Sequence, residues 1–424
     1  MSEEKYALKG LRVLDFTWVY AGPFCTRQLA DLGAEVIKVE QPVNGAIERR
    51  YSLVIERNGV KQSSYSVFLN RGKKSISVNL KSEKGLNIIE ELIKKSDVAI
   101  SNMAPGAMAN LGLGYDFMKQ INPRIIYCVI SCFGHYGSYS NSPGFDLIAQ
   151  AASGWCGQSD PAMPAPLAIG DSNAAMHAAT AILAALYYRE KTGKGQYIDI
   201  SMTDCLFHSH EATAPGFLFS NRAVPPYKNG RWYSTYSPYG LFKGKNGNIA
   251  IAALSDAIWE RLIAVMGKNY TWLLTDARTD KLEKRVSYAN APFVHTILEE
   301  WIQTFDSVEK VETFLREAGV PAMKVRGFEE VCDAPYIKDR EMLVMTKQPF
   351  VGEFETYGSP FKMSETPGKV MGFAPLLGQN NQEILFKELG YNQQDIDSLY
   401  SEGVLYKEEA VDRLPEELKR LEQE

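Results

Sequence analysis

An aspartate stands between a glycine and a long alanine- and leucine-rich stretch in Ala168-Ile-Gly-Asp-Ser-Asn173. A carboxylate at a helix start can serve in two ways. It can cap, with the side-chain oxygen of Asp171 or Ser172 accepting first-turn amides that lack partners of their own. It can also react, because the same amides and the helix dipole stabilise a carboxylate anion and keep it available as a nucleophile. Spacing alone leaves both open. A second charged group, Arg71-Gly-Lys-Lys74, suits either a solvated turn ahead of a strand Ser75–Leu80 or a phosphate-bearing ligand. His208 and His210 would share a face on a strand but not on a helix, so no metal centre is inferred. The six cysteines are scattered with no CxxC pair, which reads as reduced thiols and not as a disulfide frame.

The elements that must position these groups follow an α/β pattern. Short β-branched runs alternate with helical stretches over the first 200 residues, as in a parallel sheet wound with helices. Strands are expected at 11–16, 35–39, 97–100, within 123–131 and at 196–201, and helices at 21–32, 82–95 and 172–189. No GxGxxG follows the first strand, which removes the best sequence support for nicotinamide binding. Beyond Gly216 the character changes. Gly244-Lys-Asn-Gly247 between two apolar runs signals a hairpin, and helical stretches follow at 256–267 and 293–319. The expected layout is a Rossmann-like large domain over 1–215, a linker over 216–229, a smaller α+β domain over 230–325 and a return segment over 326–424.

At 424 residues the chain exceeds the roughly 250–300 at which single cores stop growing, in keeping with two domains. The net charge of -5, with no concentrated basic stretch, argues against nucleic acid as a partner. The acidic start Met-Ser-Glu-Glu-Lys lacks the apolar core of a signal peptide, and Ala178 to Tyr188 is too short for a bilayer span of about 20 residues. The expectation is a cytoplasmic protein with no membrane partner.

A set of blocks in one order then narrows the chemistry. Gly170-Asp-Ser-Asn, Ile182-Leu-Ala-Ala-Leu186, Arg189-Glu-Lys-Thr-Gly-Lys-Gly-Gln196, Ser201-Met202 and Asp204 closely resemble the signature of the class III CoA-transferases. That family includes formyl-CoA:oxalate, carnitine, phenyllactate and benzylsuccinate CoA-transferases. Leu14-Asp-Phe-Thr17 with Ala21-Gly-Pro23, Asn70-Arg-Gly-Lys-Lys-Ser75, Asn102-Met-Ala-Pro-Gly106 and Gly319-Val-Pro321 extend the resemblance over nearly the whole chain. The resemblance implies that Asp171 is the catalytic carboxylate, passing through mixed anhydrides and an aspartyl-CoA thioester as CoA moves from an acyl-CoA to a carboxylic acid. It implies no permanently bound cofactor, coenzyme A thioesters being substrates. Val19, Ala21 and Asn102 fall in blocks expected to line CoA, with Lys73 near its phosphates and Arg71 and Lys74 as charged neighbours. An interlocked, ring-like dimer, of two copies or with a related subunit, is implied as well.

Two departures stand out. Gln41 and Asn110 occupy positions where family members often carry arginine, leaving Arg49, Arg50 or Arg71 as substitutes, and Ala252-Ala-Leu-Ser-Asp256 replaces a glycine-rich loop. These departures suit an alternative, a non-catalytic or weakly CoA-binding subunit of a hetero-oligomer. A second alternative, α-methylacyl-CoA racemase, needs a histidine where this chain has Phe145, and phenylalanine cannot transfer a proton. Trp18, Tyr20, Phe145, Trp155, Trp232 and Tyr233 fall in or near the expected site blocks and raise an aromatic acceptor as one expectation.

Overall fold

The structure, a computed structural model, describes residues 5–423 except 212, 227, 234 and 235. The acidic start at 1–4 therefore lies outside the described residues. The chain divides into two compact units. The first runs to Ser153, takes in Pro166–Leu206 and resumes at Pro335; the second is Gly154–Ala165 with Phe207–Ala334. Residues 154–165, 207–215 and 326–334 thus group with the second unit, and the stretch read as a linker begins inside a helix, Thr213–Phe219.

The first unit is built on six strands: β1 (Arg12–Phe16), β2 (Glu35–Glu40), β3 (Lys74–Ser77), β4 (Val98–Ser101), β5 (Ile126–Ser131) and β6 (Tyr197–Ser201). They lie in the order β3-β2-β1-β4-β5-β6, and every pairing is parallel. A parallel sheet covered on both faces needs apolar residues at consecutive positions, not alternating ones. All four residues of Val98–Ser101 and the first five of Ile126–Ser131 are buried accordingly. The chain winds outward from β1 to β3 and then returns to lay β4 on the other side of β1. The loops leaving β1 and β4 therefore diverge, and open α/β sheets take their ligands in the crevice at such a reversal.

Four helices matter for the site: α1 (Ala21–Asp31), α2 (Ser64–Asn70), α3 (Asp146–Ala152) and α4 (Ile169–Thr192). Gly33, at φ 98°, ends the turn after α1 in a conformation that favours glycine. α1 packs on α4. Each follows a strand in a parallel crossover, so both begin at the carboxyl edge of the sheet.

The second unit carries an antiparallel sheet in which Gly247–Ala252 lies between Tyr239–Gly244 and Ala322–Lys324. Its core gathers Phe242, Ile249, Trp259, Leu298 and Trp301. The helical stretch expected over 293–319 is two helices, Ala291–Ile302 and Val308–Glu317, because Ser307 caps the second by accepting from Lys310 N.

Candidate active site

At the end of β1 the chain passes through Thr17, Trp18 and Val19 before Tyr20 opens α1. Asn102, one residue past β4, holds this turn from across the crevice. Its Oδ1 accepts from Trp18 N at 2.9 Å and its Nδ2 donates to Trp18 O at 2.7 Å. Val19 is left-handed at φ 63°, a rare conformation for a β-branched residue. Gly22 lets α1 start close against the turn, since a Cβ there would lie 2.3 Å from the Thr17 Cβ. Among the described residues no side chain caps α1. Its first amides and positive dipole end thus remain to favour an anion at the crevice, the role that a glycine-rich fingerprint would otherwise fill. Val19, Ala21 and Asn102, three of the residues expected to line CoA, meet at this reversal point.

Asp171 sits on the first turn of α4, which starts at Ile169, three residues earlier than the sequence pattern indicates. Neither Asp171 nor Ser172 caps the helix. Ser172 Oγ donates back to Ala168 O at 2.9 Å, while the free amides go to a residue 25 positions earlier. Asp146 Oδ1 accepts from Gly170 N at 2.6 Å and from Asp171 N at 3.1 Å, and Asp146 Oδ2 accepts from the buried Gln150 Nε2 at 2.6 Å. Gly170 is required for this approach, because a Cβ there would lie 2.9 Å from Asp146 Oδ1.

This arrangement reverses the expectation that the helix start would keep Asp171 ionised. Burial, reinforced by the neighbouring Asp146, pushes its carboxyl up to about 7. The amides that would have favoured the anion are engaged by a competitor. The Asp171 charge is felt at Tyr65, whose hydroxyl is raised by burial and then by Asp171, and at Cys132, whose thiol is raised chiefly by burial. Tyr65 stacks on Tyr20 at 5.9 Å and Tyr20 on Phe24 at 5.2 Å, with Tyr51 against Tyr65 at 6.4 Å. A wall of rings therefore joins the α1 start to the surroundings of Asp171. Phe145 precedes α3 with 66% of its surface exposed and carries no transferable proton.

The Arg71–Lys74 group behaves otherwise than expected of direct phosphate ligands. Lys73 is buried and donates to Asp15 Oδ2 at 2.9 Å, Asn70 Oδ1 at 2.9 Å and Pro23 O at 3.1 Å, which occupies all three of its protons. Burial brings it down to about 8, against the pull of Asp15. Arg71 is buried on Asp31 at 2.9 Å, and Lys74 lies between Glu35 at 2.7 Å and Glu383 at 3.0 Å. The group is neither a solvated turn nor a free phosphate grip: it fastens β3 to α1 and to the returning C-terminal segment. Of the suggested substitutes for the missing arginines, Arg49 is paired with Glu40 at 2.8 Å, and only Arg50 keeps an exposed side chain.

Asp146, Gln150, Tyr65 and Glu48 were not singled out from the sequence. Asp146 carried the one available signal, as the residue next to Phe145.

The profile of CoA-transferase family III matches residues 8–381. The chain belongs to this family. A succinyl-CoA:mesaconate CoA-transferase of Haloarcula hispanica is 36% identical over 388 residues, covering 89% of this chain and 96% of the relative. A formyl-CoA:oxalate CoA-transferase of Streptomyces coelicolor is 33% identical, covering 94% of this chain and 99% of the relative. A CaiB/BaiF family protein from Brucella suis has the same fold, with a TM-score of 0.78 and 29% identity over 91% of this chain and all of that one. The family and these relatives make the chain a CoA-transferase enzyme, built on a mixed α/β fold with a parallel central sheet.

Proposed function

We propose that this CoA-transferase moves coenzyme A from succinyl-CoA to a short dicarboxylic acid, with Asp171 as the covalent relay. The observation that carries the mechanism is the environment of Asp171: a half-buried carboxyl at the carboxyl edge of the sheet, beside a second carboxylate and a wall of tyrosines. An Asp171 oxygen attacks the thioester carbon, the C–S bond breaks, and CoA leaves as thiolate from a mixed anhydride. The thiolate then attacks the Asp171 carbonyl and releases succinate, leaving an aspartyl thioester. The acceptor carboxylate attacks that thioester, its C–S bond breaks and CoA leaves as thiolate from a second mixed anhydride; the thiolate then attacks the acceptor acyl carbon and Asp171 leaves as carboxylate. A carboxylate is a weak nucleophile, and partial desolvation strengthens it while limiting hydrolysis of the anhydrides.

The relatives support this choice of substrates, one being named for succinyl-CoA and mesaconate and another for formyl-CoA and oxalate, both acceptors being dicarboxylic acids. An aryl-bearing acid is the second reading, favoured by the Tyr20, Tyr51 and Tyr65 rings. Val19, Ala21 and Asn102 line the CoA path in this account, with the α1 start facing its anionic part. Lys73, Arg71 and Lys74 shape that path from behind.

Two copies pair through the α3–α4 surface. α4 carries apolar residues on all sides, which suits a buried helix, yet Met176, Leu183 and Tyr187 are 52%, 38% and 66% exposed in the single chain. Gel filtration with light scattering giving a monomer would contradict the pairing. The function is tested with succinyl-CoA against mesaconate, oxalate, glutarate and aryl acids, using wild type and Asp171→Asn. The expected result is turnover with dicarboxylic acids and a loss of at least about a thousandfold in the variant. Turnover confined to aryl acids selects the second reading, and an active Asp171→Asn refutes the relay.

A further inference from the structure

Three consecutive residues after β1 have their backbone held by side chains. Thr17 N donates to Asp15 Oδ1 at 2.9 Å and Thr17 O accepts from Lys38 Nζ at 2.8 Å. Trp18 is gripped at both groups by Asn102. Val19 N donates to Glu48 Oε2 at 3.0 Å. The left-handed Val19 is strained, and such residues persist only where the surroundings over-determine them. Glu48 is the group that does so. It is wholly buried on the short helix Ile47–Arg50, and its Oε1 pairs with Lys38 Nζ at 2.9 Å. One carboxylate therefore holds the strained residue directly and, through Lys38, the residue two positions before it. Burial weakens the positive charge of Lys38, but Glu48, Asp15 and Glu40 more than restore it.

We propose that Glu48 is a positioning residue for acyl-CoA binding, its carboxylate locking the Thr17–Val19 turn in the conformation that presents the start of α1 to the ligand. The inference rests on the reading above that this crevice takes acyl-CoA. Without Glu48, Val19 N loses its acceptor, Lys38 loses its nearest counter-charge, and Val19 relaxes toward ordinary negative φ. The direction in which Tyr20 enters α1 changes with it. Acyl-CoA then binds only the fraction of molecules that still hold the turn, and apparent affinity falls in proportion to that fraction. Asp171 lies on a different helix, so the chemical steps proceed once the ligand is in place.

The experiment uses the full chain with succinyl-CoA as probe and compares wild type, Glu48→Gln, Glu48→Ala and the double variant Glu48→Ala/Val19→Gly. Glu48→Ala is expected to raise KM for succinyl-CoA about tenfold, the equivalent of about 1.4 kcal/mol, with kcat held within about twofold. Glu48→Gln keeps an acceptor for Val19 N without the charge and is expected to fall between. Glycine adopts positive φ freely, so Val19→Gly is expected to recover most of the KM lost in Glu48→Ala. Hydrogen exchange of the peptide spanning Thr17 to Ala21, measured without substrate, is expected to accelerate in Glu48→Ala. Folded Glu48→Ala with wild-type KM and wild-type exchange overturns the proposal. So does a lowered melting temperature with unchanged KM, which is the mark of a merely structural residue. If Glu48→Ala does not fold, Glu48→Gln with wild-type KM overturns it. Failure of wild type to bind succinyl-CoA in calorimetry would count against the crevice reading instead, and exchange would still report on the clamp.

Discussion

Removing the charge of Asp171 is expected to stabilise the protein while abolishing turnover, and the stabilisation is expected to depend on pH. In the folded chain the carboxyl is raised from 3.8 to about 7, first by burial and then by Asp146. The folded state therefore holds its proton more tightly than the unfolded state does. Below the unfolded value both states are protonated and the group is neutral for stability. As pH rises the unfolded chain ionises first, and stability is lost progressively until the folded carboxyl ionises near 7. At about 1.4 kcal/mol per pH unit the full cost has an upper limit of about 4 kcal/mol, which relaxation and partial solvation reduce to about 2 kcal/mol. Asp171→Asn keeps the shape and removes the charge. Its melting temperature relative to wild type is expected to rise by about 3 °C between about pH 5 and about pH 8, where about two-thirds of that cost falls, taking about 2 °C per kcal/mol as suits a unit of more than about 250 residues. Any fixed effect of the amide cancels in that comparison. The assay is thermal unfolding of both proteins across the pH series. A difference between them that does not change with pH would refute the claim that Asp171 is held at a cost as an anion.

Asp146→Asn removes the second carboxylate beside Asp171, so the acidic limb of the kcat/KM–pH profile is expected to move to lower pH; an unmoved limb would assign the raised value to burial alone. Gly170→Ala puts a methyl 2.9 Å from Asp146 Oδ1, and chemical denaturation is expected to show a loss of about 1–3 kcal/mol together with reduced kcat. Lys73→Met leaves Asp15 buried without its main counter-charge, and a loss of about 3–5 kcal/mol is expected in the same assay. A stable Lys73→Met with a selectively raised KM for acyl-CoA would restore Lys73 as a direct phosphate ligand.

What was legible in the sequence depended on locality. The central strands of the first unit stand near their expected places because runs such as Val98–Ser101 and Ile126–Ser131 are short and buried on both faces, a property of adjacent residues. The surrounding blocks point to Asp171 as the candidate carboxylate, but its electrostatics could not be read from them. The amides of its helix are taken by Asp146, 25 residues away, and no spacing rule anticipates that a second carboxylate will occupy the cap. The Arg71–Lys74 group misled similarly. Its partners Asp15, Asp31 and Glu383 come from β1, α1 and the C-terminal return, and only the parallel winding brings them to one edge of β3. Glu48 was silent, since a glutamate before two arginines looks like an ordinary solvated helix until Val19 and Lys38 are seen on either side of it.

The proposed relay requires that Asp171 become covalently acylated during turnover. Wild-type enzyme mixed with succinyl-CoA, quenched with hydroxylamine and digested, is expected to yield a hydroxamate on the peptide carrying Asp171 and on no other carboxylate, with Asp171→Asn unlabelled. An enzyme that turns over at full rate while its Asp171 peptide stays unmodified would contradict the account.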